Sequence, residues 1–193
     1  METEIKLYMP NLDVARQHLE SAGAQLDAPR VLERNWRYDT PDKRLSADEQ
    51  VLRLRQDART RLTYKGKGAS QAGITSRPEY EVEVSDFEAM AQILHGLGYE
   101  TYMLYEKYRT TYLLDGAEIV LDELPYGNFV EIEADAKHIE RLIVRLGWAD
   151  APRFAESYAR IFERIKIALN LRFEDLTFAN FAGISVPPEF FKR

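Results

Sequence analysis

Cysteine is absent from this 193-residue chain, which removes disulfides, thiolate zinc sites, iron–sulfur clusters and cysteine nucleophiles together. Histidine is scarce. His18, His95 and His138 all fall in segments with helical spacing and share no ligand spacing, so a histidine-rich metal centre is not expected. Any metal would then be held by carboxylates, which selects a hard cation such as Mg²⁺, Mn²⁺ or Ca²⁺. Long apolar runs are missing too. Nothing is long enough to span a bilayer, and no N-terminal stretch reads as a signal peptide. The expectation is a soluble cytoplasmic protein with no membrane partner. Nor is there a surplus of basic charge, since 26 lysines and arginines stand against 32 acids for a net −6. A broad nucleic-acid surface is not expected on that balance, although a local basic cavity is compatible with it. The length suits one domain, with or without a terminal appendage, and buries enough surface to need no cross-links.

What the chain has in abundance is charge at strand spacing. In Glu2-Thr3-Glu4-Ile5-Lys6 the side chains of Glu2, Glu4 and Lys6 share one face of a strand, while Ile5 and Leu7 take the other. The pattern returns in Arg53/Arg55, Lys65/Lys67, Glu79/Glu81/Glu83 and Glu131/Glu133, with Lys107/Arg109 as a further pair. The opposite faces read as core: Leu52 and Leu54, Leu62 and Tyr64, Tyr80, Val82 and Val84, Ile119 and Leu121, Val130 and Ile132. A solvated face would mix in Ser, Thr and Gln. A nearly all-ionic face suits a wet lumen with helices covering the apolar outside. Such burial of charge is costly unless the ions are paired, hydrated or ligated, so the pattern itself argues for a polyanion held together with a divalent metal.

Three segments share a strand–helix–glycine order: 2–23, 79–98 and 129–147. Asn11, the Ser85-Asp86-Phe87-Glu88 capping box and Asp135 mark the helix starts; Gly23, Gly98 and Gly147 mark the stops. Between them the spacing predicts strands at 36–40, 50–56, 61–67, 105–114 and 117–124, with Asp115-Gly116 as a tight hairpin turn and 66–73 as loop. About eight strands result, mostly antiparallel, enough to close a barrel. A helix over 154–171 follows Pro152.

These residues resemble a known family. Glu2-Thr3-Glu4-Ile5-Lys6 is similar to the ExExK signature of the CYTH superfamily, the triphosphate tunnel metalloenzymes. The resemblance continues through Tyr38-Asp39-Thr40-Pro41-Asp42, Leu52-Arg53-Leu54-Arg55 and Leu62-Thr63-Tyr64-Lys65-Gly66-Lys67. It runs on through Arg77, Glu79, Glu81 and Glu83, then Lys107-Tyr108-Arg109, then Leu121-Asp122-Glu123-Leu124 with Gly127 to Glu133, and ends at Ser157-Tyr158. It implies an α+β fold: a closed eight-stranded antiparallel β-barrel, the triphosphate tunnel, with helices packed on the outside over residues 1–171. Residues 172–193 match no part of that pattern. Phe173, Phe178, Phe181, Phe190 and Phe191 predict a tail packed on the body or on the partner of a homodimer.

Arginine and lysine suit phosphate through several donors and a fixed charge. Lys6, Arg53, Arg55, Lys65, Lys67, Arg77, Lys107 and Arg109 are the expected phosphate grips. Glu2, Glu4, Glu81, Glu83, Asp122, Glu131 and Glu133 are the expected ligands for Mg²⁺ or Mn²⁺, with Asp122 alternatively positioning Arg109. Lys6, Arg53, Lys65 and Tyr158 are the expected catalytic group. The resemblance implies metal-dependent hydrolysis of a small-molecule triphosphate (inorganic tripolyphosphate, thiamine triphosphate or a nucleoside triphosphate) with release of orthophosphate. Two alternatives stand beside it: a class IV adenylate cyclase making cyclic AMP and pyrophosphate from ATP, and a polyphosphate-binding module without catalysis.

Overall fold

The computed structural model describes residues 1–191, so Lys192 and Arg193 of the tail lie outside the described residues. One antiparallel sheet organises the chain. Its strands are β1 (Glu2–Tyr8), β2 (Gln25–Asp39), β3 (Val51–Gln56), β4 (Thr60–Lys65), β5 (Ala69–Gln71), β6 (Ile74–Arg77), β7 (Glu79–Val84), β8 (Glu100–Leu114), β9 (Ala117–Leu124), β10 (Gly127–Glu133) and β11 (Arg153–Phe154). The helices are α1 (Leu12–Ser21), α2 (Arg44–Ala47), α3 (Phe87–Gly96), α4 (Ala136–Arg145) and α5 (Tyr158–Leu169), with a 3₁₀ turn at Pro188–Phe191. The spatial order is β5-β6-β1-β10-β9-β8-β2-β3-β4-β7, with β11 added beside β1. Set aside the short β5, β6 and β11, and eight long strands remain.

No ladder among the described residues joins the two ends of this order directly. They are joined by the chain itself. β6 pairs with β1 and β7 pairs with β4, and only Pro78 separates β6 from β7. The run 74–84 is one strand that changes partner at a residue with no N–H to donate. There the Gly66 N–H donates to the Pro78 carbonyl at 2.9 Å.

The helices form where the sequence caps them. Asn11 accepts from the N–H groups of Asp13 and Val14, Asp135 from that of His138, and Ser157 from that of Arg160. At α3 the cap is Asp86 rather than Ser85, its Oδ1 accepting from the Ala89 N–H at 2.9 Å. Helices α1 and α4 bury Leu12, Ala15, Leu19, Ile139, Leu142 and Ile143 against Ile5, Leu7, Ile119, Leu121, Val130 and Ile132 on the outside of the sheet. Helix α3 covers Tyr38, Leu52 and Leu54 through Phe87, Met90 and Leu94.

Four expectations are corrected. Strand β2 starts at Gln25, not Trp36, because its first half is exposed, carries Pro29 and is broken by bulges, so no apolar alternation announces it. The segment 66–73 is not all loop: Ala72 (φ 52°) and Gly73 (φ 84°) form the turn between β5 and β6. A positive φ at alanine is sterically disfavoured, which hides that turn from sequence reading. Tyr80 and Val82 are not core, at 69% and 57% exposed, because β7 ends the sheet and no helix among the described residues covers its outer face. Finally, α5 begins at Tyr158 rather than 154, since Arg153 and Phe154 pair with Leu7 and Lys6 as β11.

Helix α5 also departs from the outside position. It packs on the face that carries the charges, where Tyr8 and Phe129, in step with Lys6 and Glu131, turn apolar and meet Tyr158, Ile161, Phe162 and Ile165. The tail completes this cluster. Leu176 bridges to Tyr105 of β8, its N–H donating to Leu104 O at 2.9 Å and its carbonyl accepting from the Glu106 N–H at 2.8 Å. Phe191 stacks on Tyr8 with ring centroids 4.3 Å apart.

Candidate functional site

The ionic faces of β1, β10, β8, β2, β3, β4 and β7 turn toward one cavity of about 840 Å³. Exposed residues Asp27, Pro29, Arg30 and Arg59 stand at its mouth, and its lining also takes in exposed Ala155, half-buried Glu156 and Ser157, and buried Tyr158 at the start of α5. Lys6, Arg53, Arg55, Lys65, Arg77, Lys107, Arg109, Tyr158, Glu2, Glu4, Glu81, Glu131 and Glu133 all line it. Three residues singled out from sequence do not. Lys67 lies beyond the end of β4, 70% exposed and paired with Glu49 at 3.5 Å. Glu83 is 62% exposed and paired with Arg59 at 3.5 Å. Asp122 is fully buried behind the wall.

Almost every charge in the wall has an opposite partner. Lys6 Nζ meets Glu131 Oε1 at 2.8 Å, and Lys65 Nζ meets Glu2 Oε1 at 2.6 Å and Glu79 Oε2 at 3.0 Å. Arg77 reaches Glu2 at 3.1 Å and Glu4 at 3.4 Å. Arg55 Nη2 donates to both oxygens of Glu81 at 3.1 and 3.0 Å. Arg109 forks onto Asp122 at 2.7 and 2.6 Å and also touches Glu131 Oε2 at 2.6 Å. Asp122 takes two more donors, Lys107 Nζ at 2.9 Å and the Tyr158 hydroxyl at 2.8 Å. Four charge-assisted bonds on one carboxylate fix the directions of Lys107, Arg109 and Tyr158. Asp122 is thus placed to position Arg109 rather than to face a ligand.

Glu33, Asn35, Arg37 and Tyr105 belong to the site or its wall and were not marked from sequence, and Glu79, read there in the alternating acidic face but not among the ligands, lines the cavity too. Glu33 is 2% exposed and sits among Arg55 (3.3 Å), Lys107 (3.5 Å) and Arg109 (3.9 Å). Burial works to raise its carboxyl, but those cations outweigh it and hold the group far below the usual carboxylate range. The signal was available in principle: Glu33, Asn35, Arg37 and Asp39 alternate along β2. Asn35 interrupts the charge pattern. Glu131 likewise is held well below its usual range, burial being outweighed by Lys6 and Arg109. Lys6 is pushed up, burial being outweighed by Glu131 and Glu4.

One corner has the opposite character. Glu4 and Glu133 face each other directly across the β1–β10 ladder, and Glu118 follows Glu133 on the next strand. Like charges in register repel. Burial, then Glu2, Glu118 and Glu79, push the Glu133 carboxyl up to about 7. Oxygen donors crowded by their own charge suit a hard divalent cation. The donor set fits Mg²⁺ or Mn²⁺, although among the described residues no three carboxylates converge on one point, because Glu2 and Glu4 are turned toward basic partners.

A cavity walled by paired Lys, Arg and Glu on a curled antiparallel sheet defines a class. Residues 1–144 match the CYTH domain, and the chain belongs to the CYTH family. A protein of Methanocaldococcus jannaschii named as a candidate adenylate cyclase is 27% identical over 141 residues, covering 72% of this chain and 79% of that one. Among solved structures, a candidate adenylate cyclase of Vibrio parahaemolyticus superposes with a TM-score of 0.73 at 23% identity, over 84% of this chain and 97% of its own. A candidate adenylyl cyclase from Hippeastrum, described as having a dominant triphosphatase activity, superposes with a TM-score of 0.65 at 19% identity, over 85% of this chain and 96% of its own.

Proposed function

We propose that the protein is a divalent-metal-dependent triphosphatase acting on inorganic tripolyphosphate or another small triphosphate. The observation that carries this reading is the pairing itself. The wall holds its phosphate-binding cations on carboxylates, so a polyanion that takes the cations frees the carboxylates, and a divalent metal is the natural partner for those. Binding one without the other would strand buried charge. A divalent metal held there would supply positive charge against the polyanion and an activated water. Glu2, Glu4 and Glu133 are the residues placed to hold it, with Glu79 and Glu131 nearby.

The chain's own groups divide the remaining work. Lys6, Arg55, Lys65 and Arg77 hold nonbridging phosphate oxygens and keep the chain extended. Arg109 and Lys107, aimed by Asp122, present their charge at fixed positions, so little reorganisation is needed as negative charge builds up on the leaving phosphate. The Tyr158 hydroxyl donates to Asp122 and its ring lies 4.5 Å from Lys6 Nζ, which makes it a positioning residue for both. The dominant triphosphatase activity described for the similar Hippeastrum protein supports hydrolysis over cyclisation.

The test is a panel of tripolyphosphate, thiamine triphosphate and ATP with Mg²⁺ or Mn²⁺, read for both orthophosphate and cyclic AMP. Metal-dependent orthophosphate release that falls by about 10²-fold or more in Glu4→Gln and Lys6→Ala is expected. Cyclic AMP with pyrophosphate from ATP would replace this reading by the cyclase. Tight tripolyphosphate binding without turnover would replace it by a binding module.

A further inference from the structure

Arg37 breaks the pairing rule of the wall. Each other lysine or arginine lining the cavity has a carboxylate within 4.0 Å among the described residues: Lys6, Arg53, Arg55, Lys65, Arg77, Lys107 and Arg109 in the interior, Arg30, Arg59 and Arg61 near the mouth. Arg37 has none, yet it is only 9% exposed. Its charged neighbour is a like one, since Arg53 stands directly opposite in the β2–β3 ladder. Arg53 is better supplied: Glu81 lies 3.8 Å away, and its Nη1 and Nη2 donate to the Tyr105 hydroxyl at 3.1 Å and to Thr63 Oγ1 at 3.2 Å. The Tyr102 ring lies 5.8 Å from the Arg37 guanidinium, and Arg37 also acts on the Tyr105 hydroxyl.

A second observation is independent of the charges. Asn35, two residues back on the same face of β2, is 0% exposed, and neither its amide nitrogen nor its amide oxygen bonds to protein among the described residues. The Nε groups of Arg37 and Arg53 are likewise without protein acceptors. Arg37 and Arg53 both line the cavity, with Asn35 behind them in the wall, and a buried guanidinium without a carboxylate is expensive to keep without an anion.

The Arg37–Arg53 pair lies at one end of the cavity. The Glu133–Glu118 rung continues to Leu113 of β8 and Gln25 of β2, whereas Arg37 is near the other end of β2, level with Met103. That end is closed by α5 and the tail around Met103 and Tyr105, while Arg30 and Arg59 mark the open mouth. Resting on the triphosphate reading above, we propose that Arg37 and Arg53, backed by Asn35, seat the unesterified terminal phosphoryl group of the substrate at the closed end. Any organic group then projects toward Arg30 and Arg59. The substrate class is a polyphosphate with one free end. Tripolyphosphate and 5′-triphosphates qualify, and a triphosphate esterified at both ends does not. Arg37 is a substrate-binding residue of this seat.

The experiment is calorimetric titration of chelator-treated protein with tripolyphosphate and with diadenosine triphosphate, paired with ligand-free thermal melts. The variants are Arg37→Gln, Arg37→Lys and the surface control Arg16→Gln. Arg37→Gln is expected to bind tripolyphosphate about tenfold or more weakly, as the loss of a charge-assisted contact to an anion should give. Arg37→Lys should recover part of that loss, and Arg16→Gln should match the wild type. The ligand-free Arg37→Gln protein should melt at or above the wild-type temperature, because an uncompensated buried charge has gone. An arginine with a purely structural role would instead lower the melting temperature and leave affinity unchanged, and either result overturns the seat. Diadenosine triphosphate binding as tightly as tripolyphosphate overturns the free-end assignment. Wild-type protein that binds no tripolyphosphate, either chelator-treated or with Mg²⁺ restored, overturns the triphosphate reading along with the seat. Equal binding by wild type and Arg37→Gln overturns the seat alone.

Discussion

Asp122 concentrates more of the site's order than any other single side chain, because Lys107, both arms of Arg109 and the Tyr158 hydroxyl all end on it. Asp122→Ala would take from Lys107 and Arg109 their shared carboxylate and leave them only Glu33 and Glu131, and urea denaturation should register a loss of about 3–5 kcal/mol. Tyr158→Phe removes a single bond to a charged acceptor and should cost about 1.5–3 kcal/mol by the same measurement. Glu33 gives a pH signature. Its folded carboxyl titrates far below its unfolded value, so the stability it contributes is fully present above about pH 4.3 and is lost as the pH falls from there toward the folded value. Denaturation curves from pH 7 to pH 3 should therefore fall more steeply for wild type than for Glu33→Gln, which should already be less stable at pH 7. At this scale the sequence was legible where charges alternate without interruption, as at Glu2, Glu4 and Lys6. It was silent at Glu33 and Arg37, because Asn35 stands between them and the strand's exposed first half hides its register.

Among the elements, the helices begun by Asn11, Asp86 and Asp135 were the most legible, since each cap satisfies backbone donors the helix cannot, whereas the Ser157 cap of α5 went unread and that helix was expected from 154. Strand boundaries were less so. Alternation shows which residues share a face but not whether anything covers it, which is why Tyr80 and Val82 read as core and stand in solvent. Val82→Thr should accordingly change stability by less than about 0.5 kcal/mol, as at ordinary surface positions. The tail shows the reverse. Its phenylalanines announced burial without saying where, and the place is the aromatic cluster under α5. Phe191 is 1% exposed against Tyr8, Phe129 and Tyr126. Phe191→Ala should cost about 3–5 kcal/mol, read as a shift in the denaturation midpoint.

For the whole molecule, family motifs made the sheet and its ionic interior readable from sequence over most of the chain. The change of partner at Pro78 was not, because it depends on two distant strands, β1 and β4, meeting the same run of chain. The paired wall also sets how ligands act on one another. In the free protein the phosphate-binding cations other than Arg37 are held by carboxylates, so metal and polyanion should each make binding of the other easier. Thermal shifts with tripolyphosphate and Mg²⁺ together should exceed the sum of the separate shifts, with a coupling of about 1–3 kcal/mol. The reciprocal effect, tighter Mg²⁺ binding in the presence of tripolyphosphate, should be of equal size.

The strand that turns at Pro78 has a mechanical consequence. Where β1 and β4 come together the wall is stitched by Lys65, Glu2 and Arg77, side chains that the substrate would recruit. Elsewhere the staves are laced by backbone ladders that no phosphate can unpick. The container therefore has one seam, and the cargo competes for its thread: a filled vessel and an empty one should differ in how readily that seam parts, even if every other stave stays in place.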